Sequence, residues 1–214
     1  MSINYYVIDL ETNGIKAGYH TTNEVSIIRC LDKVQLTEFI RCETPERSSW
    51  DAMAITKKTL ADLDKGISKE EAVEKINKFL NEDGLTPAHR CFIGHNVSFD
   101  RRFIHALYES VGQKFESNLW LCTMALTKQY AKQIGLVKPK VNLHASCDML
   151  EINKISTAHA SKVDSRNTYL LYKKLVDEKK IDYLPFIKTA PHNFNSSNMS
   201  DDDDERLDAS LLDI

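Results

Sequence analysis

The sequence predicts an α/β domain with a mixed central sheet flanked by helices, and three observations predict it. A β-rich segment near the start, Ile3 to Leu10, is apolar on both faces. Two more strand-like segments follow it directly. Beyond them, short apolar runs alternate with helical patterns. Composition agrees with this class. Of 214 residues, 42% are hydrophobic and 28% charged, the balance of a globular chain that buries a core rather than of a disordered or membrane-embedded one.

Tyr5, Tyr6, Val7 and Ile8 mark the first segment as a central strand covered on both sides. Glu24 to Leu31 and Val34 to Arg41 read as strands forming an antiparallel meander with it. Asp51 to Asp62 reads as short helical pieces. From Ser68 to Leu80 the pattern is helical: Ser68 can cap the first turn with Glu71 three residues on, and Ala72, Ile76, Phe79 and Leu80 form the apolar stripe. Cys91 to Gly94 is a short buried strand, with a helix expected from about Ser98 to Val111. Leu119 to Cys122 is another strand. Helices follow at about Thr123–Gln133, Asn142–Leu150 and Ala160–Lys179.

Composition changes after Pro191, which divides the chain into a domain over 1–190 and an acidic, disordered tail over 191–214. Residues 193–214 hold seven acids and one base, a net of −6, so the whole-chain charge of −3 conceals 27 bases against 24 acids in residues 1–192. The acidity belongs to the tail, where Leu211 and Leu212 are candidates for docking a protein partner. No apolar run approaches the length of a transmembrane helix, and the start lacks the basic region and cleavage site of a signal peptide. A cytoplasmic protein without membrane contact is expected. Cysteines 30, 42, 91, 122 and 147 form no CxxC pair and read as reduced thiols.

The chemistry lies in acids. Asp9 and Glu11 stand two apart where the first strand meets its loop, so their side chains share a face. Two carboxylates about 4 Å apart repel by roughly 4 kcal/mol at an effective dielectric near 20 unless a cation lies between them. An all-oxygen site of this kind favours Mg²⁺ or Mn²⁺ over zinc. The spacing alone is weak, since Asp203 and Glu205 repeat it in the tail. A second element, His95-Asn96-Val97-Ser98-Phe99-Asp100-Arg101-Arg102, runs from strand into helix, with Asp100 in the first helical turn and Phe99 and Phe103 expected in the core. An early acid suits the helix dipole, but two arginines do not, which points to a phosphate-contacting role for one of them. A third pairs His159 with Asp164. Five residues turn about 140° on a helix, so these side chains converge only if His159 precedes a helix that carries Asp164.

Together these elements resemble the DEDDh (DnaQ-like) 3′→5′ exonucleases, a family of RNase H-like fold. Its D-x-E-T-x-G motif corresponds to Asp9-Leu10-Glu11-Thr12-Asn13-Gly14, its H-N-x-x-F-D motif to His95 through Asp100, and its H-x₄-D motif to His159 and Asp164. The likeness runs from about residue 3 to 178. Within the family it points towards the exonuclease X branch, through Ala52-Met53-Ala54-Ile55 and Cys122-Thr123-Met124, and towards the polymerase III proofreading subunits. Ile55 to Thr59 departs from the family's H-G-I-T pattern, with Thr56-Lys57-Lys58 in its place, so substrate contacts there do not carry over.

The resemblance implies that Asp9, Glu11, Asp100 and Asp164 hold two Mg²⁺ ions, for which Mn²⁺ can substitute, with His159 as general base. It implies release of nucleoside 5′-monophosphates from 3′ ends, DNA before RNA. Leu10, Thr12, Asn96 and Arg101 are the expected substrate contacts. A body at +3 can hold a few phosphates weakly and in a salt-sensitive way, with Lys57, Lys58, Arg102, Lys128, Lys132, Lys138 and Lys140 as further candidates. An RNA 3′-end trimmer of the RNase T or oligoribonuclease kind, and a polymerase-associated proofreading subunit tethered by its tail, are the alternatives.

Overall fold

The computed structural model describes residues 3–117, 119–156 and 160–189. His159 and the tail 191–214 lie outside the described residues. Six strands form one mixed sheet: β1 (Asn4–Thr12), β2 (Thr22–Arg29), β3 (Gln35–Phe39), β4 (Arg90–Gly94), β5 (Leu119–Cys122) and β6 (Lys188–Thr189). Their order across the sheet is β3-β2-β1-β4-β5-β6. β1, β2 and β3 form the expected antiparallel meander, while β4 and β5 run parallel to β1. β6 pairs antiparallel with the start of β5, through Leu119 opposite Thr189 and Trp120 opposite Lys188.

Seven α-helices lie among the described residues: α1 (Trp50–Thr56), α2 (Leu60–Leu63), α3 (Lys69–Asn81), α4 (Val97–Glu109), α5 (Thr123–Gln133), α6 (Leu143–Met149) and α7 (Ser161–Lys173). Ser68 caps α3 as its sequence indicates, its hydroxyl accepting from the Glu71 N–H at 3.1 Å. Asn142 does the same for α6, accepting from the Ala145 N–H at 2.7 Å. The segment expected to run as one helix to Lys179 instead widens into a π turn at Lys174–Glu178.

Alternation along β1 divides the core. Tyr6, Ile8 and Leu10 face α3 and α4, packing with Ile76, Phe79, Phe103 and Ile104. Val7 faces the other way and joins Ile93, Leu121, Leu126 and Leu171 beneath α5 and α7. Asp9 and Glu11 continue the Val7 row, so they project on the α7 side of the sheet. There the Ser26 and Ser165 hydroxyls meet at 2.9 Å, two small buried side chains that let α7 lie close against β2.

β1 runs two residues further than its apolar pattern indicates. Glu11 still pairs with Glu24 and Thr12 with Thr22, with a register shift between Glu11 and Thr12. The two acids therefore sit within the β1–β2 ladder, opposite Ser26 and Glu24, while the pairing of β1 with β4 ends at Val7. The parallel strands β1, β4 and β5 all end at one edge of the sheet, and α4 and α5 begin just beyond it. Crevices at the carboxyl ends of strands are the usual binding sites of such sheets.

Candidate active site

A cleft of about 370 Å³ opens at that edge, with Asp9, Glu11, Asp100 and Asp164 all on its lining. Each acid arrives by a different local device. Asp9 and Glu11 come from β1 by strand alternation. Asp164 comes from the first turn of α7. Side-chain oxygens of Asp9, Glu11 and Asp164 lie within 4.8 Å of one another.

Asp100 needs a sharper turn. The chain passes from β4 to α4 through Asn96, which adopts the left-handed conformation at φ 67°, a position Asn tolerates better than most residues. Gly94 ends β4 close beside that turn. A Cβ there would come within 2.9 Å of Val97 Cγ2 and 3.2 Å of Asp100 Oδ2. Asp100 is 4% exposed, and its Oδ1 accepts from the Leu10 N–H at 3.0 Å.

The electrostatics are strained without a counter-charge. Burial, followed by the Asp100, Asp164, Glu11 and Glu24 carboxylates, pushes Asp9 well above the ordinary carboxylate value of 3.8. Burial likewise pushes Asp100 up. Hydrogen bonds from the Leu10 N–H and its own N–H pull it back, and Glu11 pushes it up further. Oxygen donors of this kind, gathered and mutually repelling, fit a hard divalent cation.

Leu10, Thr12 and Asn96 line the cleft as expected, whereas Arg101 is not among the lining residues. The Thr12 hydroxyl donates to the Gly14 carbonyl at 2.6 Å, which shapes the loop after β1. His95 also lines the cleft, and both its ring nitrogens are engaged. Nε2 lies 2.7 Å from the Val141 carbonyl, which can only accept, and Nδ1 lies 2.9 Å from the Thr123 hydroxyl. The Val141 carbonyl requires a proton on Nε2, and burial pushes His95 down to about 4, which keeps the ring neutral near neutral pH.

Several lining residues carry no motif of their own. Phe99, expected in the core, is half-buried on the cleft wall and tilts against Phe103 at 4.8 Å, while Phe103 is buried as expected. Its place one residue before Asp100, three after the Asn96 turn, is the signal that it faces the cleft. Ile15, Ile55, Met124 and His144 add to the lining from four separate segments. Among the described residues no helix is long and apolar enough to cross a membrane.

An exonuclease family model of the RNase T type matches residues 6–172. The chain is 26% identical over 175 residues to the PolC-type DNA polymerase III of Latilactobacillus sakei, which covers 80% of this chain and 11% of that protein. It is 25% identical over 177 residues to the PolC-type DNA polymerase III of Staphylococcus haemolyticus, covering 82% and 12%. The chain thus spans about a tenth of the length of these curated relatives. Among solved structures, Escherichia coli exonuclease I in complex with a dT13 oligonucleotide superimposes with a TM-score of 0.69 at 17% identity, covering 84% of this chain and 42% of that one. The nuclease domain of 3′hExo, a DEDDh family member bound to rAMP, gives 0.66 at 13% identity, covering 89% and 97%. The shared fold is the RNase H-like fold of the DEDDh exonucleases.

Proposed function

This chain belongs to the exonuclease family, of the DEDDh type, and we propose that it is a cytoplasmic 3′→5′ exonuclease releasing nucleoside 5′-monophosphates from DNA 3′ ends. The observation that carries this reading is the convergence of Asp9, Glu11 and Asp164 oxygens within 4.8 Å on the floor of a cleft that Asp100 also lines. DNA is the favoured substrate because the curated relatives are DNA polymerases.

Asp9, Glu11 and Asp164 would hold divalent cation, with Asp100 completing the acid set from the α4 side. When bound, two Mg²⁺ ions, replaceable by Mn²⁺, supply a water of lowered pKa and neutralise charge on the departing 3′ oxygen. The chain's own groups do the rest. Leu10, Thr12 and Asn96 orient the terminal nucleotide against the cleft floor, and Phe99 offers an apolar face to its base. Arg101 is assigned a phosphate contact further along the strand. His159 is assigned as the base that takes the proton from the attacking water. His95 serves the site as a neutral strut, not as a proton carrier.

Residues 1–190 are assigned to the nuclease domain and 191–214 to an acidic tail that docks a protein partner, such as a polymerase subunit. Digestion of 5′- and 3′-labelled DNA strands with Mg²⁺ tests the activity, with mononucleotide release from the 3′ end expected. An Asp9→Ala protein that degrades DNA as well as wild type overturns it. Matched DNA and RNA oligomers in the same assay decide the substrate, and preference for RNA would reassign the enzyme to RNA 3′-end trimming. Removing residues 191–214 is expected to spare the activity and abolish co-purification with the partner.

A further inference from the structure

Glu24 is a fifth carboxylate beside the site, and the proposed reaction does not use it. It stands on β2 directly opposite Glu11 and is 2% exposed. Its charge is close enough to contribute to the upward push on Asp9. Both of its oxygens are engaged. Oε1 accepts from the Ser161 hydroxyl at 2.8 Å, three residues ahead of Asp164 in the first turn of α7. Oε2 pairs with Lys58 Nζ at 3.1 Å, and the Lys58 side chain is itself only 15% exposed. Lys58 reaches this position because α1 ends at Lys57 in the left-handed conformation, φ 54°, which turns the chain inward. Its ammonium also lies 5.6 Å from the centre of the Phe39 ring. The segment that departs from the family's pattern therefore supplies a half-buried cation.

We propose that Glu24 is a positioning residue with Lys58 as its charge partner, and that this pair sets how tightly the neighbouring carboxylates take a divalent cation. The proposal rests on the cation-binding reading of the site. Glu24 ties the first turn of α7, and with it Asp164, to the strand beside Asp9 and Glu11. Lys58 cancels the charge that this tie adds to an already acidic cluster. Removing either charge alone changes the potential at the site, in opposite directions. Removing both restores it.

The test is calorimetric titration of the metal-free full-length protein with Mn²⁺ at mildly alkaline pH, without nucleic acid. Lys58→Met adds a net negative charge and is expected to bind Mn²⁺ about three- to tenfold more tightly. Glu24→Gln leaves Lys58 unopposed and is expected to bind about three- to tenfold more weakly. The Lys58→Met/Glu24→Gln double variant is expected within about twofold of wild type, because its amide oxygen still accepts from Ser161. Each single variant strands a buried or half-buried charge and loses stability, so thermal unfolding accompanies every titration. Should Glu24→Gln fail to fold, the other two variants still decide the matter. Equal affinities throughout, or single variants that both weaken binding, overturn the proposal. Wild-type protein that takes up no Mn²⁺ overturns the cation reading of the site, and the role of the pair with it.

Discussion

The backbone N–H of Leu10 donates to Oδ1 of Asp100 at 3.0 Å, so the strand that bears Asp9 and Glu11 holds the acid of α4 through its main chain. No substitution at position 10 other than proline removes that donor. The bond also opposes, without overcoming, the upward push of burial on Asp100 in its nearly closed position. It makes β1 and the start of α4 one mechanical unit.

Asp100→Asn separates geometry from charge. The amide oxygen still accepts from Leu10, so the unfolding temperature should stay near that of wild type or rise slightly, since a repelling charge is gone. Activity should fall by about 10²- to 10³-fold, the equivalent of several kcal/mol of lost charge stabilisation. Thermal unfolding and mononucleotide release on the same preparation check both halves.

Asp9 and Asp100 make the metal-free protein sensitive to pH. Their folded pKa values lie above the ordinary 3.8, so the stability they contribute is complete below that value and is lost as pH rises through the raised values. In a chelator, Asp9→Asn should therefore be more stable than wild type, with a gap that widens as pH rises above the ordinary carboxylate value of 3.8. Added Mn²⁺ should close the gap by stabilising wild type. Paired unfolding curves across that range measure it.

Gly94→Ala places a methyl group 2.9 Å from Val97 Cγ2 and 3.2 Å from Asp100 Oδ2. Val97 is buried and cannot retreat freely. The start of α4 must shift, at a stability cost of about 1–3 kcal/mol. The displaced Asp100 should lower kcat by about 10- to 100-fold. A kcat that survives intact would show that Asp100 tolerates displacement.

His95 should stay neutral across the working range of the enzyme. Its folded pKa is pushed down to about 4, below the ordinary 6.5, so the stability it lends is complete above 6.5 and is lost as pH falls towards 4. Nitrogen-15 NMR should find the Nε2–H tautomer and no protonation near neutral pH, with His95→Gln identifying the resonance. Titration near 6.5 would contradict the effect of burial on the ring.

Phe99→Ala removes the half-buried aromatic wall of the cleft. If a base stacks on it, KM should rise about 5- to 100-fold, the range of one lost base–aromatic contact. The effect on kcat should be smaller. Steady-state kinetics on a short oligonucleotide separates the two.

What the chain discloses before folding follows from how local the cause is. Ser68 and Asn142 announce helix starts because a cap needs only neighbours in sequence. The meander is readable because its apolar residues lie in consecutive segments. β6 is not readable: Lys188 and Thr189 have no pattern of their own and become a strand only by lying beside β5. Phe99 packs against the core as its spacing from Phe103 indicates, and only the turn at Asn96 gives it a place on the cleft as well. Glu24 is silent for the same reason at longer range, since Lys58 and Ser161 reach it from 34 and 137 residues away. His159, placed by resemblance, lies outside the described residues.

Asp9, Glu11, Asp100 and Asp164 enter the chain far apart, on β1, α4 and α7, and α7 follows five of the six strands. A polypeptide emerging from the ribosome therefore carries Asp9 and Glu11 first and Asp164 last. Until α7 is made and lies against β2, no fragment holds the full set. The order of synthesis thus fixes when the cleft is complete: its acids are gathered only once nearly the whole sheet has been made.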